Sequence, residues 1–151
     1  MSELEKIAES KGKILGVDFG DTRTGLAVCD PSRMLASGIG YISPGGIEKT
    51  ADAVAEIARE QNVVALVVGL PVNMDGSEGS RAARCRKFAS MVEERSGLPV
   101  ATFDERMTTM TAARYLNETN TRGKKRKTVI DTLSAQIILQ NCLDRLKYLK
   151  Q

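Results

Sequence analysis

The segment from Lys13 to Asp30, KILGVDFGDTRTGLAVCD, constrains the fold of this chain most strongly. Two runs rich in Ile, Leu and Val flank a Gly, Asp and Thr cluster, which predicts a strand, a tight turn and a second strand. Because strand side chains alternate between faces, Ile14, Gly16 and Asp18 share one face. A buried carboxylate costs roughly several kcal/mol unless a cation or hydrogen-bond donors meet it. Asp18 is therefore a candidate functional residue, and bonding of the turn amides is its structural alternative.

The strand pattern of the whole chain predicts a mixed β-sheet. A third strand at 35–43 follows the first two after a short turn, so these three are expected to be antiparallel neighbours. Two further strands, at 63–69 and 100–103, are each preceded by a helical pattern, at 47–60 and 77–96 respectively. Such strand-helix-strand connections imply parallel pairing. We therefore predict an α/β fold with a five-stranded sheet, three antiparallel strands followed by parallel strands, and helices on both faces.

Helical patterns also flank this core. Residues 2–10 predict a short amphipathic helix, 109–116 a later one, and Thr128 begins the last long helix. With 151 residues and no long linker, we expect a single domain over 1–151, in which 1–11 form an N-terminal helical extension.

Composition narrows the cellular setting. No apolar run approaches the ~20 residues that span a bilayer, and the N-terminus is too charged for a signal peptide. The three cysteines are widely spaced and form no CxxC pair, which indicates reduced, mostly buried thiols. We expect a cytoplasmic protein that does not contact a membrane.

The chain contains no histidine, and this excludes several catalytic classes. Ser-His-Asp and Cys-His catalysis, HExxH metalloproteases and histidine-based zinc hydrolysis all require that side chain. Any catalysis must use carboxylates, hydroxyls, lysines, thiols or bound metals.

Three carboxylates offer such chemistry: Asp18, Glu105 and Asp131. Glu105 follows the last strand, and Asp131 is aligned with the apolar positions of the last helix. Carboxylates from two strand ends and one helix can converge on hard divalent cations. Two such ions about 4 Å apart can activate a water and stabilise the leaving oxygen of a phosphodiester. Each residue has an alternative: Glu105 can precede a helix capped by Thr108 or Thr109, and Thr128 with Asp131 matches a capping box.

Basic residues favour an anionic partner. Arg122 to Lys127, RGKKRK, predicts a basic loop that enters the helix of Asp131, so a phosphate backbone held there would lie near the proposed metals. Arg81, Arg84 and Lys87 add a basic flank to an earlier helix. The alternatives are a solvated loop and an exposed helix face. Aromatic residues are few, which favours recognition of backbone or shape over base edges.

The motifs GVDFGDTRTGLAV, VVGLPVNMDGSEGSRAARCRKFA, DERMTT and DTLSAQIIL resemble, in order, the signatures of the YqgF family. Members are described as Holliday-junction resolvases and as pre-16S ribosomal RNA nucleases. The resemblance covers roughly residues 13–143. Ser134 stands where Ala is expected, and the residues before Lys13 extend beyond the usual start.

The resemblance implies a ribonuclease-H-like fold and a nuclease that cuts structured RNA or branched DNA. It places the catalytic, metal-binding carboxylates at Asp18, Glu105 and Asp131, with Mg²⁺ or Mn²⁺ as the cofactor. Arg23 and Asn73 match positions that border such a site. The full set of nucleic-acid-binding candidates, from motif and charge together, is Arg23, Asn73, Arg81, Arg84, Lys124, Lys125 and Arg126. A homodimer is expected if the substrate is a four-way junction, since symmetrical cutting needs two sites.

Two other functions compete with this hypothesis. DFGDTRTG also resembles the first phosphate loop of sugar kinases and actin-like ATPases, which clamp ATP between two domains, whereas this chain has room for one. The second is a ribosome- or nucleic-acid-associated factor that kept the fold without useful cleavage.

Overall fold

The computed structural model describes residues 2–107 and 123–149, and in the second range it describes side chains from Thr132 onward. In chain order the elements are α1 (Glu3–Glu9), β1 (Ile14–Asp18), β2 (Thr24–Cys29), β3 (Ala36–Ile42), α2 (Ile47–Glu60), β4 (Ala65–Leu70), α3 (Ser80–Ser96), β5 (Val100–Asp104), a 3₁₀ turn (Glu105–Met107) and α4 (Gly123–Leu149).

The five strands form one mixed sheet in the order β3-β2-β1-β4-β5. The pairs β1 with β2 and β2 with β3 are antiparallel, and β1 with β4 and β4 with β5 are parallel. The predicted fold class is confirmed. The continuous apolar run of β4 is buried at all six positions, as expected for a central strand covered on both faces.

Helices cover both faces of this sheet. On one face, Leu15 and Val17 of β1 pack in a cluster that includes Val54 of α2 and Phe88 of α3. On the other face, Ile14 belongs to a cluster made with α1 and α4. Because β1 side chains alternate, Gly16 and Asp18 project toward the face covered by α4.

Glycines let α4 lie close to the sheet. A Cβ on Gly16 would sit 2.7 Å from the Leu139 Cβ, and a Cβ on Gly69 would sit 2.6 Å from the Ile138 Cδ1. Real Cβ atoms essentially never approach so closely. At Gly16 the neighbour is the Leu139 Cβ, so a larger residue there would push the helix outward, whereas at Gly69 the neighbour is the end of a side chain that can turn aside. Gly16 therefore sets the separation between α4 and strand β1.

The start of α4 corrects one prediction from the sequence. The helix begins at Gly123 and not at Thr128, so residues 123–127 of the predicted basic loop are helical. Lys and Arg have helix propensities near that of Ala, which allows a basic run to continue a helix. The capping-box interpretation of Thr128 and Asp131 is also wrong, because both positions lie inside the helix. The predicted helix at 109–116 and its caps fall outside the described residues.

Helix α3 begins at Ser80, three residues later than predicted. The Ser77 amide and hydroxyl both donate to Asp75 Oδ1, and the Asn73 amide donates to the Ser77 carbonyl at 2.9 Å. These bonds hold Ser77 in a turn, because a side-chain acceptor offers its backbone an alternative to the helix.

The cysteines match expectation, since Cys29, Cys85 and Cys142 are all free and buried. Within residues 2–107 and 123–149, no helix is both long enough and apolar enough to cross a bilayer.

Candidate nuclease site

Asp18 ends β1 and is half-buried on the α4 face of the sheet. Its register partner on β2 is Gly25. On the other side, Gly69 follows Val68, the partner of Val17 on β4. Two residues without side chains thus flank Asp18, and they leave the sheet surface around its carboxylate uncovered by side chains of their own.

Glu105 comes from the 3₁₀ turn directly after β5 and lies over the neighbouring strand. Its Cδ and Cγ atoms are 3.3 and 3.4 Å from the position that a Cβ on Gly69 would take. The carboxyl group of Glu105 therefore lies at the same end of the sheet as Asp18, across the gap that Gly69 provides.

Burial raises the pKa of the Glu105 carboxyl above its ordinary value. The Arg81 guanidinium opposes this shift, and the Asp104 carboxylate adds to it. Burial thus disfavours the ionised form of Glu105, and a bound divalent cation would oppose that effect.

The buried thiol of Cys85 reports the same concentration of negative charge. Its pKa is raised to about 11, mainly by burial; Arg81 opposes this rise, and the carboxylates of Glu105, Asp18 and Asp21 add to it. Asp18 and Glu105 therefore act on one common point, although strands β1 and β5 are separated by β4.

The third predicted carboxylate is only partly located. Position 131 lies in α4, one turn before Ala135, whose carbonyl oxygen would be 3.2 Å from a Cβ on Gly16. The side chain of Asp131 is outside the described residues, as are those of Lys124, Lys125 and Arg126. Among the side chains that are described, no group of three or more Cys, Asp or Glu residues is placed to hold a metal ion.

The donors that are described suit a hard cation. Asp18 and Glu105 offer carboxylate oxygens, which are the ligands that Mg²⁺ and Mn²⁺ prefer. The raised pKa of Glu105 also means that binding a cation there would favour its ionised form.

Arg81 and Arg84 of α3 meet the turn after β1. Arg81 donates from Nη2 to the Phe19 carbonyl at 2.8 Å, and its Nη1 lies 3.7 Å from Asp21 Oδ2. Arg84 donates from Nε to Asp21 Oδ1 at 2.6 Å and stacks over the Phe19 ring at 5.8 Å. Both guanidinium groups are thus held at the edge of the Asp18 turn.

The other two bordering candidates differ in their surroundings. Arg23 lies over the Tyr41 ring, with its Cζ 5.5 Å from the ring centroid. Asn73 donates from its side-chain amide to the Ser77 hydroxyl at 3.0 Å, in the exposed loop between β4 and α3. Asn73 therefore shapes that loop.

Asp21 is a residue of this region that the sequence pattern did not indicate. Two arginines spaced by three residues on a helix, as in RAAR, form one face and indicate a shared anion. The acidic residue inside the DFGDTR turn supplies it. Arg106 was also missed: it pairs with Asp104 at 2.7 Å and lies 3.5 Å from the Met74 carbonyl, which joins the end of β5 to the β4-α3 loop.

Comparison with solved structures supports the fold assignment. Thermus thermophilus RuvC, in a structure titled as a complex with Holliday junction substrate, aligns with a TM-score of 0.57 over 89% of this chain and 94% of that one. The sequence identity is 13%, so this likeness concerns the fold alone. The predicted ribonuclease-H-like architecture is confirmed.

Sequence comparison identifies the family. A relative from Leuconostoc mesenteroides, named "Putative pre-16S rRNA nuclease", is 44% identical over 87% of this chain and 94% of its own length. Relatives of the same name from Ruminiclostridium cellulolyticum and Paracoccus denitrificans are 38% and 43% identical, over 89% and 91% of this chain and 95% and 87% of their own. The family model described as RuvX, Holliday junction resolvase, matches residues 12–145. The chain therefore belongs to the RuvX family, the YqgF family that its motifs predict.

Proposed function

We propose that this protein is a divalent-metal-dependent endonuclease that hydrolyses phosphodiesters in structured nucleic acid. Membership in the RuvX family supports the nuclease prediction. The observation that carries the proposal is the placement of the Asp18 and Glu105 carboxyl groups at one end of the sheet, on either side of Gly69.

Asp18, Glu105 and Asp131 are the proposed ligands of Mg²⁺ or Mn²⁺. Cations held by these residues would supply activation of a water molecule and stabilisation of the leaving oxygen of the phosphodiester. Asp18 is the central ligand, because it lies between the glycines of β2 and β4. In the absence of a cation, burial disfavours the ionised form of Glu105. A bound cation would therefore stabilise the Glu105 carboxylate.

Basic residues position the substrate backbone. Arg81 and Arg84 are already held at the turn after β1, and a phosphate can take the place of the Asp21 carboxylate between them. Arg23, Lys124, Lys125 and Arg126 are the remaining cationic candidates, and Asn73 keeps the β4-α3 loop in shape beside the site.

The proposed substrate is a precursor of 16S ribosomal RNA, and the proposed location is the cytoplasm. The similar relatives carry the pre-16S rRNA nuclease name over nearly their full lengths. A four-way DNA junction is the competing substrate, favoured by the description of the family model. Cutting such a junction symmetrically would require a homodimer.

Asp18→Asn tests the mechanism. The variant removes a charged metal ligand with little change of shape, so we expect cleavage to fall by at least ~100-fold while folding and nucleic-acid binding remain. Asp52→Asn is the control, because Asp52 lies on α2 in an exposed ion pair with Arg95. Wild-type rates in Asp18→Asn, or in wild-type protein with EDTA, would contradict the proposal.

A paired assay identifies the substrate. Precursor rRNA and four-way junction DNA are offered at identical salt, because affinity for a polyanion depends steeply on ionic strength. Faster cutting of the RNA supports the proposed substrate, and faster cutting of the junction overturns it. Mn²⁺ binding by calorimetry without cleavage of either would identify a non-catalytic factor, and saturable ATP hydrolysis would identify an ATPase.

A further inference from the structure

Tyr41 lies in the same cross-strand row as Asp18. Gly25 of β2 pairs with Asp18 on one side and with Tyr41 of β3 on the other. Directly paired residues of neighbouring strands project to the same face of a sheet. The Tyr41 ring and the Asp18 carboxylate therefore share the α4 face, two strand spacings or about 10 Å apart.

The alternation of neighbouring residues confirms this orientation. Ile42, next to Tyr41, packs against the cluster on the opposite face. Ala27, two residues after Gly25, is buried in the cluster on the α4 face. A β-bulge between Leu26 and Ala27 shifts the pairing of β2 with β3. Beyond the bulge Gly25 pairs with Tyr41, so Tyr41 projects to the α4 face.

The surface between the two residues carries no side chain from β2. Gly25 is the residue that separates them, so the sheet floor there is backbone. A flat group lying on Tyr41 would lie in the same cross-strand row as the Asp18 carboxylate. A nucleobase lying on Tyr41 would belong to a nucleotide about one position from a phosphate held at the Asp18 and Glu105 carboxylates.

Arg23 orients the Tyr41 ring. Its guanidinium lies over one part of the ring at 5.5 Å, a cation–π contact that restricts how the ring can turn. Tyr41 nevertheless remains 41% exposed, which is high for a large residue in a strand. An aromatic ring that is held in place and still accessible is suited to stack with a second planar group.

We infer that Tyr41, oriented by Arg23, is a stacking platform for an unpaired nucleobase next to the scissile phosphate. The inference rests on the proposed nuclease function and narrows its substrate to a phosphodiester beside an unstacked base. Stacking uses the face of the base, so the platform tolerates any sequence. Arg23 adds its charge beside that base, where the backbone phosphate approaches.

The first test compares three variants for binding and cleavage of precursor rRNA. Tyr41→Ala removes the ring and is expected to raise Kd and KM by roughly 5- to 100-fold, whereas Tyr41→Phe keeps the ring and is expected to match the wild type. Tyr148→Ala is the matched control, because Tyr148 is exposed and also lies under an arginine, Arg145, at 5.4 Å. It sits near the far end of α4 and is expected to change nothing.

The second test locates the base. Abasic sites are placed one at a time around the cut in the RNA, and Kd is measured for wild type and Tyr41→Ala. We expect one abasic position beside the cut to weaken wild-type binding, and the same position to have no further effect in Tyr41→Ala. Such non-additivity is the signature of two groups in direct contact.

A direct spectroscopic readout is available because the chain contains no tryptophan. Tyr41→Trp, made together with Asp18→Asn to prevent cleavage, places a single indole at the platform. Stacking on a base is expected to quench its fluorescence, and the abasic RNA identified above is expected to leave it unquenched.

The outcomes separate this inference from the proposed function. If the wild type cuts the RNA and Tyr41→Ala binds it as tightly as Tyr41→Phe, the platform is disproved and the nuclease remains. If Tyr41→Ala only changes sedimentation in the absence of RNA, Tyr41 belongs to a contact between two copies of the chain, and the inference is overturned. If the wild type cuts nothing with Mn²⁺ present, the nuclease proposal fails first.

Discussion

Glu105 must be ionised to bind a metal ion as proposed, but its ionised form destabilises the folded protein. Its carboxyl group packs over Gly69, and burial raises its pKa. A raised pKa means that the folded state binds a proton more tightly than the unfolded chain. Its contribution to stability is therefore complete below the ordinary pKa of Glu and is lost as pH rises through the folded-state pKa.

Glu105→Gln tests this opposition. Gln keeps the shape of the side chain and carries no charge, so we expect the variant to unfold at a higher temperature than the wild type at pH 7 in EDTA. The difference should shrink as pH falls through the raised folded-state pKa and be gone below about 4.5, the ordinary pKa of the carboxyl. Cleavage with Mn²⁺ should fall by about 100-fold or more. A variant that is less stable than the wild type at pH 7 would contradict this account.

Residue types revealed part of the site and geometry revealed the rest. Asp18 was predictable because a carboxylate is out of place in an apolar strand. The role of Asp21 was not, because an acidic residue in a turn is ordinary and its partners, Arg81 and Arg84, lie about sixty residues away. Tyr41 was missed for a similar reason: its relation to Asp18 runs through Gly25 and exists only in the sheet register.

At the scale of elements, the contact of α4 with the sheet depends on residues that lack a side chain. Gly16→Ala would place a Cβ 2.7 Å from that of Leu139, so the helix must move away from β1. We expect a loss of about 1–3 kcal/mol in the free energy of unfolding, measured by urea denaturation.

Gly79→Ala is the control for that substitution. Gly79 has an ordinary negative φ, and a Cβ there meets no atom within 4 Å among the contacts described. Gly79 is the N-cap of α3, where Ala is less favourable than Gly, so the loss should stay at or below about 1 kcal/mol. Equal losses in the two variants would show that α4 does not depend on the close approach at Gly16.

The turn between β2 and β3 depends on one carboxylate. Asp30 accepts from the Ser32 hydroxyl and from the Leu35 and Met34 amides, which together lower its pKa to about 2. A lowered pKa contributes stability that is present above the ordinary pKa, 3.8, and is lost as pH falls through the folded value.

Asp30→Ala should therefore lower the midpoint of thermal unfolding at pH 7. The difference between wild type and variant should close between about pH 4 and pH 2, because both then lack the ionised acceptor. Parallel pH profiles, with an unchanged difference at pH 2, would show that the carboxylate charge does not hold this turn.

Periodicity predicted most elements to within two residues. The bounds of α2 agree fully, because a Pro-Gly-Gly break precedes its apolar repeat. The error at α4 has a physical cause: a run of like charge suggests a solvated loop, yet the same side chains have good helix propensity. The sequence pattern does not decide between these tendencies.

At the scale of the whole molecule, we propose that residues 1–151 form a single domain with α1 as its extension. Ile7 and Ala8 of α1 are buried in the same cluster as α4, and Arg33 donates to the carbonyls of Ile7 and Gly12 at 2.7 Å. The residues before the range of the family model are thus joined to the core by both packing and hydrogen bonds.

Mn²⁺ should stabilise this domain as one unit. At a concentration 100 times its Kd, a ligand that binds only the folded state adds about 2.7 kcal/mol, which corresponds to roughly 5–10 °C for a chain of this size. We expect a single calorimetric transition that moves upward with Mn²⁺ in the wild type and stays in place in Asp18→Asn. Two transitions, of which only one responds, would disprove the single domain.

The ion pairs of Asp21 with Arg81 and Arg84, at the turn after β1, affect how these arginines would bind and release a polyanion. With Asp21 beside Arg81 and Arg84, the free protein supplies its own counter-anion, tethered to the polypeptide and exposed at its surface. An incoming polyanion must displace that tethered group, which cannot diffuse away. In the proposed nuclease, Asp21 would therefore compete with bound substrate for Arg81 and Arg84 and so favour substrate release, independently of dissolved salt.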